Sequence, residues 1–401
     1  MQRYEQRDVK SAGRRWLLWT ILSVGFLGWS ASYGNASESV KVGLLLPISG
    51  TAAEFGERMK QGVDLALEER GKATGKNDIE IVLRDTGDAS LQRVRQLAQE
   101  LVVRENVKYL AGLDTTPAVL AVADVVNQAK IPFVIFNSGT SGVTKKSPYF
   151  VRAGFTQWAI SYPLGKRLGV DGKKRVVIII HDFAPGYDAA SSFSAGLTES
   201  GGAVLDTLKV PLGTSDPSSY LQRIQDVSPD AVFMFFKVGP FGVNFVRDYL
   251  GKGLRSRGIE LFGTGELDET NLKAIGAGAV GIETSFVYGP DLKSAKNASF
   301  VTGLQNKYGS EFLPSPFNVQ AYDGMQLVFR MIDTAGDRRA GADPIDSIRD
   351  FSWESPRGRV SIDPETREIV QRVYLRKVVD DGGRLVNRAF DDFGEIRPPV
   401  N

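Results

Sequence analysis

Hydroxyl side chains gather in three short segments, each of which follows an apolar run: Pro47-Ile48-Ser49-Gly50, Leu113-Asp114-Thr115-Thr116-Pro117 and Asn137-Ser138-Gly139-Thr140-Ser141. Serine and threonine hydroxyls, together with the free backbone N–H groups of a helix start, can hold an anion without supplying a counter-charge. Any one of these segments alone reads as a cap or a turn, with Thr116 suited to an N-cap and Pro117 to the first helical position. Three of them, after the first, third and fourth strands of one series, would lie at one sheet edge, and together they read as an anion site.

Other chemistry is poorly supplied. The 401 residues contain no Cys and one His, His181. Disulfides, thiolate metal sites and Cys nucleophiles are thereby excluded, as are metal sites built on several His. No G-x-S-x-G elbow is present, so His181 has no Ser-plus-carboxylate partners for a hydrolytic triad. Gly276-Ala277-Gly278-Ala279-Val280-Gly281 matches G-x-G-x-x-G. A helical stretch precedes it and an apolar β run follows, the reverse of a dinucleotide loop. No enzyme, cofactor or metal is expected. The net charge is +2. Removing the +3 carried by residues 1–15 leaves −1 on the rest, which gives no electrostatic reason for nucleic-acid binding.

Those loops need elements to carry them. Val40–Leu46, Ile79–Arg84, Lys108–Gly112 and Pro132–Phe136 read as buried strands. Between them, Glu54–Arg70, Leu91–Arg104 and Pro117–Ala129 read as helices. The alternation resumes with strands at Arg175–His181, Ala203–Val210, Ala231–Phe236 and Leu261–Gly263. Helices are expected near Asp188–Ser200, Ser218–Val227 and Phe241–Leu250. Two strand–helix series imply two parallel-sheet lobes, each covered on both faces. Ile282–Tyr288, helices near Asn297–Tyr308 and Asn318–Ala335, and a long β segment at Glu368–Val379 follow. This tail implies that the chain recrosses between the lobes.

The first 36 residues read as an address. Five basic groups precede the uncharged run Trp16–Trp29, and small residues follow up to Ala36. This is the pattern of a secretory signal cleaved after Ala36, and the apolar run is short for a spanning helix. The mature protein is expected outside the cytoplasm, in the periplasm, without a lipoprotein Cys.

Several segments in order carry a family resemblance. The run LLLPISGTAAEFGERMKQGVDLALEE, Gly112 with Thr115-Thr116, and Ile131-Pro132 followed by SGTS and PYFVR are three of them. Ser228-Pro229-Asp230-Ala231-Val232 and Ala321-Tyr322-Asp323-Gly324 continue the series. The chain resembles the substrate-binding proteins of ABC importers, in the branched-chain-amino-acid (leucine-binding) family, over roughly 40–390. Some relatives with similar segments take aromatic or other organic acids. The resemblance implies an α/β fold of two Rossmann-like lobes with parallel sheets joined by a three-crossover hinge, the type I periplasmic binding protein. Lobe one would be 38–154 plus 287–355, and lobe two 155–286 plus 356–398. It implies a monomer that closes on a small carboxylate-bearing ligand and delivers it to the membrane permease of an ABC importer. A ligand-sensing receptor domain of the same fold is the alternative.

The resemblance also assigns residues. Thr115 or Thr116, Ser138 and Thr140, with Gly139 between the last two, would hold the ligand carboxylate. Phe55 would stand at the first loop. Phe183, Tyr187 and Phe236 would face them from lobe two. Glu266 would pair a ligand ammonium, since a buried ammonium needs a charge partner. Lys237 departs from the neutral residue expected there. It could neutralise Glu266 or reach a ligand carboxylate.

Overall fold

The computed structural model describes residues 39–74, 79–237, 239–335, 343–397 and 399. The expected signal segment and its cleavage after Ala36 lie outside them. The first series runs β1 (Val40–Leu46), α1 (Ala53–Thr74), β2 (Ile79–Asp85), α2 (Leu91–Val103), β3 (Tyr109–Gly112), α3 (Thr116–Ala121), α4 (Ala123–Ala129), β4 (Phe133–Ile135) and β5 (Phe150–Arg152). Its strands form a parallel sheet in the order β2-β1-β3-β4-β5. The single helix expected over Pro117–Ala129 is broken at Val122, whose φ −96 and ψ −4 end one helix and begin the next.

The second series runs α5 (Gln157–Val170), β6 (Arg175–His181), α6 (Ala184–Glu199), β7 (Ala203–Val210), α7 (Ser218–Val227), β8 (Ala231–Phe235), α8 (Pro240–Gly251), β9 (Glu260–Gly263), α9 (Glu269–Ile275) and β10 (Glu283–Phe286). After it come α10 (Ala295–Tyr308), α11 (Pro316–Ala335), β11 (Ser352–Ser355), β12 (Gly358–Ile362), β13 (Ile369–Asp381) and β14 (Arg384–Ile396). Strands β7-β6-β8-β9-β10 are parallel neighbours, and β13 joins β10 antiparallel, bringing the β11–β12 hairpin and β14 with it. β8 is buried along its whole length and β6 along all but its first residue. That is what a parallel strand covered on both faces requires, and it explains their unbroken apolar runs.

α11 returns to the first sheet. Val319, Met325 and Val328 pack with Met59 and Val63 of α1 and with Val42, Leu44 and Val134 of the strands. Val360, Ile362 and Ile369 enter the same core although their backbones bond the larger sheet. The fold is therefore two α/β lobes with parallel sheets, linked where the chain runs from β5 to α5, from β10 to α10 and through the β11–β12 hairpin. Among the described residues no helix is long and apolar enough to cross a membrane.

Candidate functional site

The two parallel series share one strand order. In each, the second strand lies outside the first and the third lies inside it, so the chain leaves the first and third strands toward opposite faces. Such a switch point opens a crevice beyond the carboxyl ends of the strands. In the first sheet the crevice lies past β1 and β3, and in the second past β6 and β8.

The loops at the first crevice carry the hydroxyls. Thr116 Oγ1 donates to Thr140 Oγ1 at 2.8 Å and lies 2.8 Å from Ser138 Oγ. Each hydroxyl has one proton. With Thr116 donating to Thr140, Ser138 donates to Thr116, and the Thr140 O–H is left to point outward. Thr116 and Ser138 are buried, while Thr140 is half-buried. Ser138 adopts φ +126 and Leu113 φ +59. Left-handed backbone on side-chain-bearing residues is uncommon and tends to be held at functional loops. Thr115 occupies the N-cap of α3 without a side-chain cap bond. Phe55 is in the first turn of α1, its ring tilted against Phe317 at 4.6 Å between centroids.

An ion pair that sequence reasoning missed positions this loop. Arg152 ends β5 fully buried, and its guanidinium donates to the Thr140 and Phe155 carbonyls at 2.7 Å each. Its Nε lies 2.8 Å from Glu368 Oε2. Asp188 of α6 reaches over from the second lobe and accepts the Ser141 backbone N–H at 2.7 Å. Burial pushes the Asp188 carboxyl up, against that hydrogen bond. No spacing in the sequence links these groups.

The second crevice is aromatic. The His181 ring lies 5.3 Å from Phe236, 5.1 Å from Phe241 and 6.4 Å from Phe183. His181 Nδ1 accepts the Lys237 backbone N–H at 2.8 Å, tying the ends of β6 and β8 together. The ring proton therefore resides on Nε2. Burial, and then the Lys237 charge, lower the His181 pKa to about 4, so the ring is a neutral donor. Phe236 and Phe183 pack into the second lobe's cores. Tyr187 is exposed, hydrogen-bonded to Asp182 and beneath Lys209, apart from the hydroxyls.

Lys237 makes no ion pair with Glu266. Hydrogen bonds from the Thr51 hydroxyl and N–H hold the Asp88 carboxyl below its ordinary value, the Lys237 ammonium adds to them, and the same ammonium opposes the upward shift that burial gives Asp114, both acids lying on loops of the first sheet. The Lys237 charge thus acts across the crevice. Glu266 is buried and bonded by its own lobe: it accepts the Thr264 N–H at 2.7 Å, the Thr264 hydroxyl at 3.0 Å and the Phe236 N–H at 3.3 Å.

Burial pushes the Glu266 carboxyl up to about 7 from an ordinary 4.5, although those hydrogen bonds pull it down. The folded state therefore binds more protons than the unfolded state between those values. Stability from this group is full below the unfolded pKa and falls as pH rises through about 7. Thermal unfolding should show the wild type losing stability between pH 5 and pH 8 relative to Glu266→Gln, on the order of 3 kcal/mol. Parallel pH profiles for the two proteins would reject the shift.

Comparison with known proteins follows the same lines. A family model described as periplasmic binding protein matches residues 39–384. The Leu/Ile/Val-binding protein homolog 6 of Brucella melitensis biotype 1 is 39% identical over 382 residues, 95% of this chain and 97% of the relative. A solute-binding protein of an R. palustris ABC transporter, solved with 4-hydroxybenzoate, superposes with a TM-score of 0.84 at 38% identity over 90% of this chain and 98% of that one. A second from Rhodopseudomonas palustris BisB5, solved with 3,4-dihydroxybenzoic acid, gives 0.83 at 37% identity over 90% and 99%. With a family match across both lobes and relatives of this identity and coverage, the chain belongs to the periplasmic binding protein family.

Proposed function

We propose that this protein is the extracytoplasmic solute-binding component of an ABC importer and that its ligand is an aromatic carboxylate of the hydroxybenzoate class. The observation that carries the ligand class is the pairing of the two crevices. The first offers a hydroxyl relay ending on Thr140 with no cation in it. The second offers Phe183, Phe236 and Phe241 around a neutral His181, with Glu266 already bonded by Thr264 and Phe236. A carboxylate fits the donors, a ring fits the aromatic wall, and the oxygen of a ring hydroxyl can accept from the imidazole Nε2–H. The relatives solved with 4-hydroxybenzoate and 3,4-dihydroxybenzoic acid support this reading.

In this reading residues 1–36 are a secretory signal removed before Ser37. Residues 38–154 plus 287–355 form lobe one, and 155–286 plus 356–398 form lobe two. The lobes close on the ligand as rigid bodies, and the closed monomer docks on membrane permease subunits. The protein binds and releases its ligand without turning it over.

Thr140→Ala tests the site. A hydrogen bond to a charged group contributes about 1.5–3 kcal/mol, so its loss should weaken binding by roughly 10- to 150-fold. Calorimetric titration with 4-hydroxybenzoate reads the effect, and the unliganded Tm serves as the control for folding. Affinity within twofold of wild type would remove Thr140 from the carboxylate site. A branched-chain amino acid is the second reading, favoured by the position of Glu266 beside the aromatic crevice. Tighter binding of leucine than of 4-hydroxybenzoate by the wild type would select it.

A further inference from the structure

Gln157 is the first residue of α5, just past the link between the lobes. Its helix is capped by Thr156, whose Oγ1 accepts the Ala159 N–H at 3.1 Å. The Gln157 backbone N–H donates to the Gly139 carbonyl at 2.7 Å, which fixes the residue against the hydroxyl loop. Its side chain is 2% exposed. The amide nitrogen lies so close to Gly139 that a Cβ built there would meet it at 2.7 Å, and the Phe155 ring at the same distance. Glycine at 139 is what lets the amide reach over the loop between Ser138 and Thr140.

Among the described residues that amide has no hydrogen-bond partner. Its Oε1 is enclosed and accepts no hydrogen bond, and no donor–acceptor contact of its nitrogen is seen among the described residues. Buried polar groups are satisfied in the great majority of cases, and an unsatisfied one is costly. Ser161, Ser285 and Gln320 also carry unpaired buried polar atoms, but no contact ties them to the hydroxyl loop. Gln157 alone among these four is clamped to it.

We infer that Gln157 is a specificity-determining residue, whose amide donates to the ligand head group beside the Thr140 hydroxyl and favours a carboxylate there over a neutral head group. The role rests on the aromatic-carboxylate reading above. A head group gripped by hydroxyl and amide protons gains from negative charge and loses when an acid is placed beside it.

The experiment compares 4-hydroxybenzoate with 4-hydroxybenzamide, by calorimetry, on wild type, Gln157→Met and Gln157→Glu, with the unliganded Tm of each protein recorded. Wild type should prefer the benzoate. Gln157→Met should lose about tenfold on the benzoate, the value of one hydrogen bond to a charged acceptor. Gln157→Glu should lose 100-fold or more on the benzoate at pH 8, reverse the preference toward the benzamide, and recover benzoate affinity as the pH is lowered. A merely structural residue would change both affinities together. An unchanged benzoate-to-benzamide ratio in both variants, in a wild type that binds the benzoate, overturns the role of Gln157 alone. A wild type that binds no hydroxybenzoate overturns the role and the ligand class together.

Discussion

Arg357→Met should destabilise the protein by about 3–5 kcal/mol, the cost of leaving a buried charge without its partner. Arg357 and Asp323 are both fully buried and 2.8 Å apart. Asp323 also accepts the Trp353 indole N–H at 2.9 Å and the Ser355 hydroxyl at 2.7 Å. The guanidinium continues to the Gly154 carbonyl at 3.0 Å and to Gln371 Oε1 at 2.7 Å. It thus ties together α11, the link after β5, the β11–β12 hairpin and β13. With an unfolding entropy of about 2.1 cal/mol/K per residue, a loss of this size lowers the Tm by roughly 4–7 °C. Adding Asp323→Leu to Arg357→Met should recover part of the loss, because the stranded carboxylate is then gone. Circular dichroism melts of the single and double variants decide it. A single variant that melts within 1 °C of wild type would show that the pair does not hold the hinge.

Arg152→Met should cost a similar about 3–5 kcal/mol, with two further signatures. The first is pH. Burial already pushes the Glu368 carboxyl up even with Arg152 beside it. Without the guanidinium its proton is held more firmly, so the folded state binds more protons than the unfolded state over a wider range. Stability then falls as pH rises through the raised value. The Tm gap between wild type and variant should be larger at pH 8 than at pH 5. The second is affinity, because the Thr140 carbonyl loses the donor that positions its loop. Melts at the two pH values, with calorimetry on 4-hydroxybenzoate, read both. A gap that does not change with pH would mean that Glu368 stays paired by other means.

The sheets and the hydroxyl loop could be read from the chain because their signals are local. β6 and β8 show as unbroken apolar runs, and Ser, Thr, Gly and Asn mark the points where β3 and β4 end. Thr116, Ser138 and Thr140 were expected together and do meet. Arg152, Asp188 and Arg357 could not be found this way. An isolated charge in a sequence reads as solvated, and Arg357 meets the Gly154 carbonyl only through a fold that brings together residues 203 apart. Aromatic residues are only partly legible for a related reason. Phe183, Tyr187 and Phe236 all lie after strands, yet Phe183 and Phe236 gather round His181 while Tyr187 is exposed beside Asp182, because loop position does not fix the side a ring faces. The α3–α4 break at Val122 has no glycine or proline to announce it. Lys237 left its partner open because the acids it senses, Asp88 and Asp114, belong to the other lobe.

The return of α11 to the first sheet has a consequence for the order in which the molecule can assemble. Asn318 donates to the Arg58 carbonyl at 2.7 Å across 260 residues of chain. The helices pass so close there that a Cβ at Gly62 would lie 2.1 Å from the Asn318 carbonyl. Closing a loop of that length costs about 5 kcal/mol of chain entropy before any contact forms. A growing polypeptide therefore carries β1 to β5 with one face of their sheet partly uncovered until residue 335 has been made. The amino-terminal lobe, first in sequence, is completed late, and a fragment ending before α11 lacks part of its own core. Until then the apolar residues of α1 and of the first sheet that face α11 are open to water and to other chains.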